Sequence, residues 1–187
     1  MACREKVLTQ SRTRHQGFTL VEAMVTLAVL GILAALTAPS FKETILNLRL
    51  EGKAREYVNH MNWARSMAVS NNETVSLRMS SDGSASCYML FRGPLNECSC
   101  NSTGASCSTP ANALLTIVFP YEEGVRIRPG ANSFTAQISP SQGTITPTMT
   151  VVFTADNGKA IHNISNTLAR TRSCTPEQGN FGLPICQ

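Results

Sequence analysis

Three sets of residues in this 187-residue chain have types and spacings that could do chemistry: two arginine pairs, seven cysteines and one carboxylate in an apolar run. Arg126/Arg128 and Arg170/Arg172 are each spaced i, i+2. In an extended strand such a pair projects from one face and offers two guanidinium forks to a phosphate backbone. The plain alternative is a solvated strand edge, where charge discourages edge-to-edge pairing. Net charge decides little between them. Of the formal +4, the segment before Phe18 carries +3, from Arg4, Lys6, Arg12 and Arg14 against Glu5. From Asn71 onward seven basic residues face seven acidic ones. Attraction for a polyanion must therefore come from local clustering, with Lys159 as a further contact if folding brings it alongside.

An odd cysteine count normally flags a free thiol or an intermolecular bridge. The odd residue is Cys3, in the basic N-terminal segment. Removal of that segment leaves Cys87, Cys98, Cys100, Cys107, Cys174 and Cys186, an even set suited to disulfides in an oxidising compartment. Cys174 with Cys186 would close a loop of about thirteen residues, worth about 3 kcal/mol by the chain-entropy argument. That bridge would also staple the C-terminal tail. The other four allow three pairings. Cys98 with Cys100 is disfavoured on geometric grounds, and the two remaining arrangements stay open. Zinc is disfavoured because Cys98-Ser99-Cys100 leaves one intervening residue where structural sites use two to four. No metal or cofactor is expected. Nor is an enzyme, since nothing in the sequence places His60 or His162 beside a nucleophile, and His15 lies in the basic segment.

Residues 18–41 read FTLVEAMVTLAVLGILAALTAPSF, apolar apart from Glu22 and a few hydroxyls. As a helix the run covers about 36 Å, against a bilayer core of about 30 Å. An ordinary secretory signal peptide has a shorter apolar core of about 7 to 15 residues. The best small-residue site, at Leu36, Thr37 and Ala38, lacks a small residue at its first place, and Pro39 follows. A lipoprotein reading of Cys3 fails because no apolar stretch precedes it. Glu22 costs about 2.5 to 3.5 kcal/mol at a membrane centre, less near the interface, unless it finds a partner. Snorkelling is its bland alternative.

The string RTRHQGFTLVEAMVTLAVLGILAALTAPSF, residues 12–41, closely resembles the class III signal of type IV pilins and type II secretion pseudopilins. The resemblance implies that a prepilin peptidase cuts after Gly17 and methylates the new amino terminus at Phe18. It also implies that Glu22 neutralises the terminal amine of a neighbouring subunit in the filament. Gly31 and Pro39 match helix-weakening positions, where the helix unwinds as subunits leave the bilayer. In a regular helix interior a proline costs about 3 kcal/mol. The leader is longer than in many pilins. The implied location is the bacterial inner membrane, crossed once, with the domain facing the periplasm and later the cell surface on a pilus. The implied partners are major and minor pilin subunits.

These residues need elements to position them. Leu50, Ala54, Val58, Met61, Ala64 and Ala68 form one helical stripe, with Glu51 and Arg55 at i, i+4, so a helix is expected to continue to Ser70 and stop at Asn71 and Asn72. Four segments follow: a leader over 1–17, a membrane or filament-core helix half over 18–41, an amphipathic half over 42–70, and a β-rich domain over 71–187. Beyond the helix the period becomes two. Val75, Leu77 and Met79 alternate with polar neighbours, and Asp82-Gly83 turns the chain into residues 87–91 as a hairpin. Further strands are expected at 114–119, 124–128, 133–139, 148–154, 160–164 and 168–174, with Asp156-Asn157-Gly158 as a turn. Residues 93–112 read as a disulfide-held loop. The fold class is α+β, a long helix laid on antiparallel sheet.

The closing stretch VVFTADNGKAIHNISNTLARTRSC resembles the GspH/FimT/FimU family of minor pilins and pseudopilins. That family often shows Gly-Arg-x-Arg near its end. Here Ala169 stands before Arg170-Thr171-Arg172, so the glycine is missing, and Leu168 intervenes. Some FimT-like minor pilins bind DNA in natural transformation through this motif. The resemblance therefore implies double-stranded DNA as a partner of Arg170 and Arg172, with Arg126, Arg128 and Lys159 as additional contacts. It implies a minor pilin of a type IV pilus, with a type II secretion minor pseudopilin lacking DNA binding as the alternative.

Overall fold

The computed structural model describes residues 17–128, 133–176 and 181–186, without side chains at 36–40 and 133. Cys3, the leader before Gly17 and the Pro39 side chain thus lie outside the described residues. Helix α1 spans Leu20–Asn71. It starts where Thr19 Oγ1 accepts the Glu22 N–H at 3.2 Å, the Thr-x-x-Glu pattern of a capping box. It ends as Asn72 turns left-handed at φ +52° and the Glu73 N–H returns to the Ala68 carbonyl at 3.1 Å, a Schellman closure that asparagine tolerates.

The chain divides into two compact units between Phe41 and Lys42. In the first, α1 exposes apolar side chains around its whole circumference, Leu20, Val21, Met24, Val25 and Leu27 among them. A helix apolar on every side needs lipid or protein around it. Among the described residues no helix is long and apolar enough to cross a membrane. The stretch expected to do so continues through 36–40, whose side chains are not described.

In the second unit α1 buries Leu50, Ala54, Tyr57, Met61, Ala64 and Ala68. Tyr57 replaces the expected Val58, which is only half-buried. Steps of four and three alternate along this stripe, and Val58 sits one residue, about 100°, off it. Tyr57 meets Tyr88 edge-on at 5.3 Å and Phe153 at 5.6 Å. Burial pushes both tyrosine hydroxyls well above their ordinary range, so they stay neutral. The Tyr88 hydroxyl pairs with His60 Nδ1 at 2.7 Å.

Eleven strands follow: β1 Val75–Ser81, β2 Ala85–Arg92, β3 Cys98–Asn101, β4 Gly104–Cys107, β5 Ala113–Pro120, β6 Val125–Arg128, β7 Ser133–Ile138, β8 Ile145–Thr146, β9 Met149–Ala155, β10 Ala160–Ser165 and β11 Thr171–Cys174. They form a five-stranded sheet ordered β5-β2-β1-β7-β8, a four-stranded sheet β11-β10-β9-β6, and the hairpin β3-β4. Every pairing of these strands is antiparallel. The inner faces of both large sheets share one core with α1, in which Leu77, Leu90, Phe119, Ile127 and Phe153 lie against the helix stripe. At the β6 edge the Ile127 N–H donates to Ser86 Oγ of β2 at 3.1 Å, which gives an otherwise unpaired edge group a partner and ties the two sheets together. Asn163, fully buried, donates from Nδ2 to the Ala54 carbonyl of α1 at 2.9 Å.

The expected loop over 93–112 is corrected: it carries β3 and β4. Strand β2 reads Cys-Tyr-Met-Leu-Phe at its centre and is buried on both faces. Tyr88 and Leu90 face the helix, while Cys87, Met89 and Phe91 form a second cluster with Cys98 and Cys100. The hairpin therefore acts as a strap over the outer face of β2. Disulfides Cys87–Cys100 and Cys98–Cys107 hold it, and Arg78 donates to the Leu95 and Cys98 carbonyls, each at 3.4 Å. Its tip is tied down at Ser102, whose N–H reaches Asp82 Oδ2 at 3.1 Å.

Candidate nucleic-acid interface

The four-stranded sheet positions the arginines. Val125 and Ile127 of β6 point into the core, so Arg126 and Arg128 point outward. Buried Met149, Val151, Phe153 and Ala155 leave Thr150, Val152 and Thr154 on the same outer face of β9. The register carries that face onward, Thr150 opposite Ile164 and Ile164 opposite Arg172. Arg126/Arg128 and Arg172 thus share one face but stand on its two opposite edges, β6 and β11. Three interstrand spacings separate these edges, about 14 Å.

Arg170 does not extend β11 as expected, and the strand begins at Thr171 rather than Leu168. Asn166 causes this. Its Oδ1 accepts the N–H groups of Leu168 at 3.1 Å and Arg170 at 3.0 Å, and its carbonyl accepts the Ala169 N–H at 2.9 Å. Ala169 closes the turn left-handed at φ +53°, which is where the resembling motif has glycine. Arg170 is left exposed at the mouth of this turn and Arg172 exposed in β11. Ser173 fixes the strand from behind, donating to Asn163 Oδ1 at 2.7 Å.

The five candidate cations are not equivalent. Arg126 pairs with Asp156 at 3.3 Å and lies 4.6 Å over the Tyr121 ring. Lys159 pairs with Glu43 of α1 at 3.0 Å. Among the described residues Arg128, Arg170 and Arg172 have no ion-pair partner. No carboxylate occurs in β6, β9, β10 or β11. The disulfide Cys174–Cys186 brings the tail back beside β11, where Thr175 bridges Ile185 in parallel. Arg172, Ser173, Cys174, Pro184, Ile185 and Cys186 line a cleft of about 330 Å³ there.

The processing and assembly residues lie in the first unit. Gly17, Phe18 and Thr19 precede the helix. Phe18 is 80% exposed, and nothing lies within 4 Å of a Cβ built on Gly17. Glu22 is exposed in the first turn of α1. Gly31 lies in the helix with open space around it.

His162 and Asn163 were not singled out as site residues by the sequence patterns. The signal for Asn163 was present, because alternation in Ala-Ile-His-Asn-Ile-Ser puts an amide among inward apolar residues. Nothing in the sequence marked His162, whose placement depends on cross-strand register.

Two families match the chain. The prokaryotic N-terminal methylation motif matches residues 12–38 and type II transport protein GspH matches residues 53–173. No curated protein and no solved structure matches it significantly.

Proposed function

The chain belongs to the family of type II transport protein GspH, and from that premise we propose that it is a minor pilin of a type IV pilus whose outer sheet face holds the phosphate backbone of duplex DNA. The methylation motif supports processing by a prepilin peptidase and assembly with other pilin subunits. The exposed Gly17-Phe18 junction ahead of α1 fits cleavage there and methylation of Phe18. An apolar first unit supports anchoring in the inner membrane before assembly, with the domain facing the periplasm and then the cell surface.

The observation that carries the DNA reading is the set Arg128, Arg170 and Arg172, without ion-pair partners among the described residues on and beside a sheet face that has no acid of its own. Phosphate contacts position a duplex without reading its sequence. With two to four such contacts, affinity falls in the non-specific range of about 10⁻⁴ to 10⁻⁶ M. The test is a salt titration of duplex binding by the full chain in neutral detergent. Changing Arg170 and Arg172 together to Ala should lower affinity equally for unrelated sequences and make the log–log salt slope shallower by about two. Arg55→Ala, which removes a helix arginine paired with Glu51, is the control. Undiminished binding by the double variant, or an equal loss in the control, removes the DNA role.

The family's description favours a second reading, a minor pseudopilin of type II secretion with the same anchor, helix and sheets. It predicts no duplex binding, and a secretion defect rather than a pilus defect when the chain is deleted.

A further inference from the structure

The middle of the outer sheet face is not neutral ground. His162 of β10 stands there, opposite Val152 of β9 and Cys174 of β11. In the same cross-strand row Val152 is opposite Arg128, so His162 lies two interstrand spacings from Arg128, about 10 Å. On its other side Arg172 is the diagonal neighbour across β10 and β11, about 7 to 8 Å away. His162 therefore occupies the gap between the two arginine edges.

Among the described residues, the strands beside it carry no negative charge that would hold it apart from a phosphate. From β9, Thr150, Val152 and Thr154 face outward beside it, all neutral. From β11 it meets Arg172 and the disulfide-bonded Cys174. Its neighbours along β10 on that face are Ala160 and Ile164. The nearest acid by sequence, Asp156 in the β9–β10 turn, is taken by Arg126. A neutral imidazole has one N–H to donate, whereas the protonated ring has two and a positive charge. Histidine is the side chain whose ordinary titration falls between about pH 5 and 8.

We propose that His162 is a proton-dependent phosphate contact that joins the two arginine edges into one track across the sheet, so that mildly acidic surroundings tighten the hold on duplex DNA. This rests on the DNA reading above. A backbone laid across the strands meets Arg172, then His162, then Arg128. With the ring protonated all three are cationic, and with it neutral the track is broken in the middle.

The experiment is fluorescence anisotropy of a labelled duplex with the full chain in neutral detergent, at about pH 5.5 and pH 8 with ionic strength held constant. One added phosphate contact at about 0.1 M salt corresponds to a roughly eightfold gain in affinity and a salt slope steeper by about 0.9. Wild type is expected to show that gain on acidification. His162→Gln should keep the pH 8 affinity and lose the gain, and His162→Lys should bind tightly at both pH values. His60→Gln, at the ring paired with Tyr88, should leave the gain intact. A full gain in His162→Gln, or its loss in His60→Gln, overturns the proposal while leaving the arginine reading in place. No duplex binding by wild type at either pH overturns both.

Discussion

At the scale of single residues, backbone conformation and hydrogen-bond donors make separate demands. Gly124 follows a short turn at φ +75°, and a Cβ there would lie 2.9 Å from Leu46 Cδ1 of α1 and 3.4 Å from Asp156 Oδ2. The Leu46 contact is the tip of a flexible side chain and can yield, so the left-handed backbone sets the cost, about 1 to 2 kcal/mol. Gly124→Ala should lower the denaturant midpoint accordingly. Gly83→Ala, at a glycine with open space and no positive φ, should change stability by less than about 0.5 kcal/mol. Ala169 bears the same left-handed strain, and its buried methyl returns about 0.8 kcal/mol. That partial offset helps alanine to replace glycine in the arginine turn. Asp82 makes a different demand. The backbone N–H of Ser84 above all, then those of Ala85 and the Ser84 hydroxyl, with Ser102 adding its N–H, hold its carboxyl well below the usual carboxylate range. A depressed folded value means that its contribution is complete above the unfolded value of about 3.9 and is lost as pH falls through the folded one. Melting curves of wild type and Asp82→Asn should therefore differ most at about pH 6, with the difference shrinking steadily as pH falls below about 4.

At the scale of elements, the strap over β2 makes the sharpest prediction. Replacing Cys87 and Cys100 together by Ser opens a bridge between residues thirteen apart in sequence, at a cost of about 2 to 4 kcal/mol. It also loosens the cover over Met89 and Phe91, so backbone amides of β2 should exchange with solvent faster in the variant than in wild type under native conditions. If both chains melt alike and exchange alike, the strap is ornamental. The need for a cover was legible in the sequence, since Cys-Tyr-Met-Leu-Phe is apolar at every position and cannot leave one face wet. What supplies it was not legible. The hairpin within 93–112 has no apolar alternation, and cross-strand disulfides do for it what packed side chains do elsewhere. The helix length, its Asn terminus and most strands were readable because period and turn residues agree over long stretches. The sequence could also show that each arginine pair is spaced for one face. That the pairs stand on opposite edges follows from the strand order, which depends on long-range pairing rather than on any local pattern.

At the scale of the whole molecule, the first unit sets a problem that the chain cannot solve alone, because its helix exposes apolar residues on every side. Glu22 is the single charge in that stretch of helix, and two physical roles compete for it. At the N3 position of a Thr-x-x-Glu capping box and as the acid of the first turn of α1, its side chain favours the start of the helix, a contribution of about 0.3 to 1 kcal/mol. As a carboxylate beside a neighbouring subunit's terminal amine, it would neutralise a charge held in an apolar filament core, where an unpaired ion costs several kcal/mol. The second effect is the larger and should dominate assembly. Glutamine separates the two roles, since Glu22→Gln keeps a capping-box side chain and removes the charge. Membrane extraction should find Glu22→Ala and Glu22→Gln inserted like wild type, because losing a charge makes the segment more apolar. Incorporation into filaments should fail equally in both variants. If Gln restores assembly where Ala does not, Glu22 acts through helix capping and the amine pairing is wrong. If both variants assemble like wild type, the carboxylate only reaches toward water.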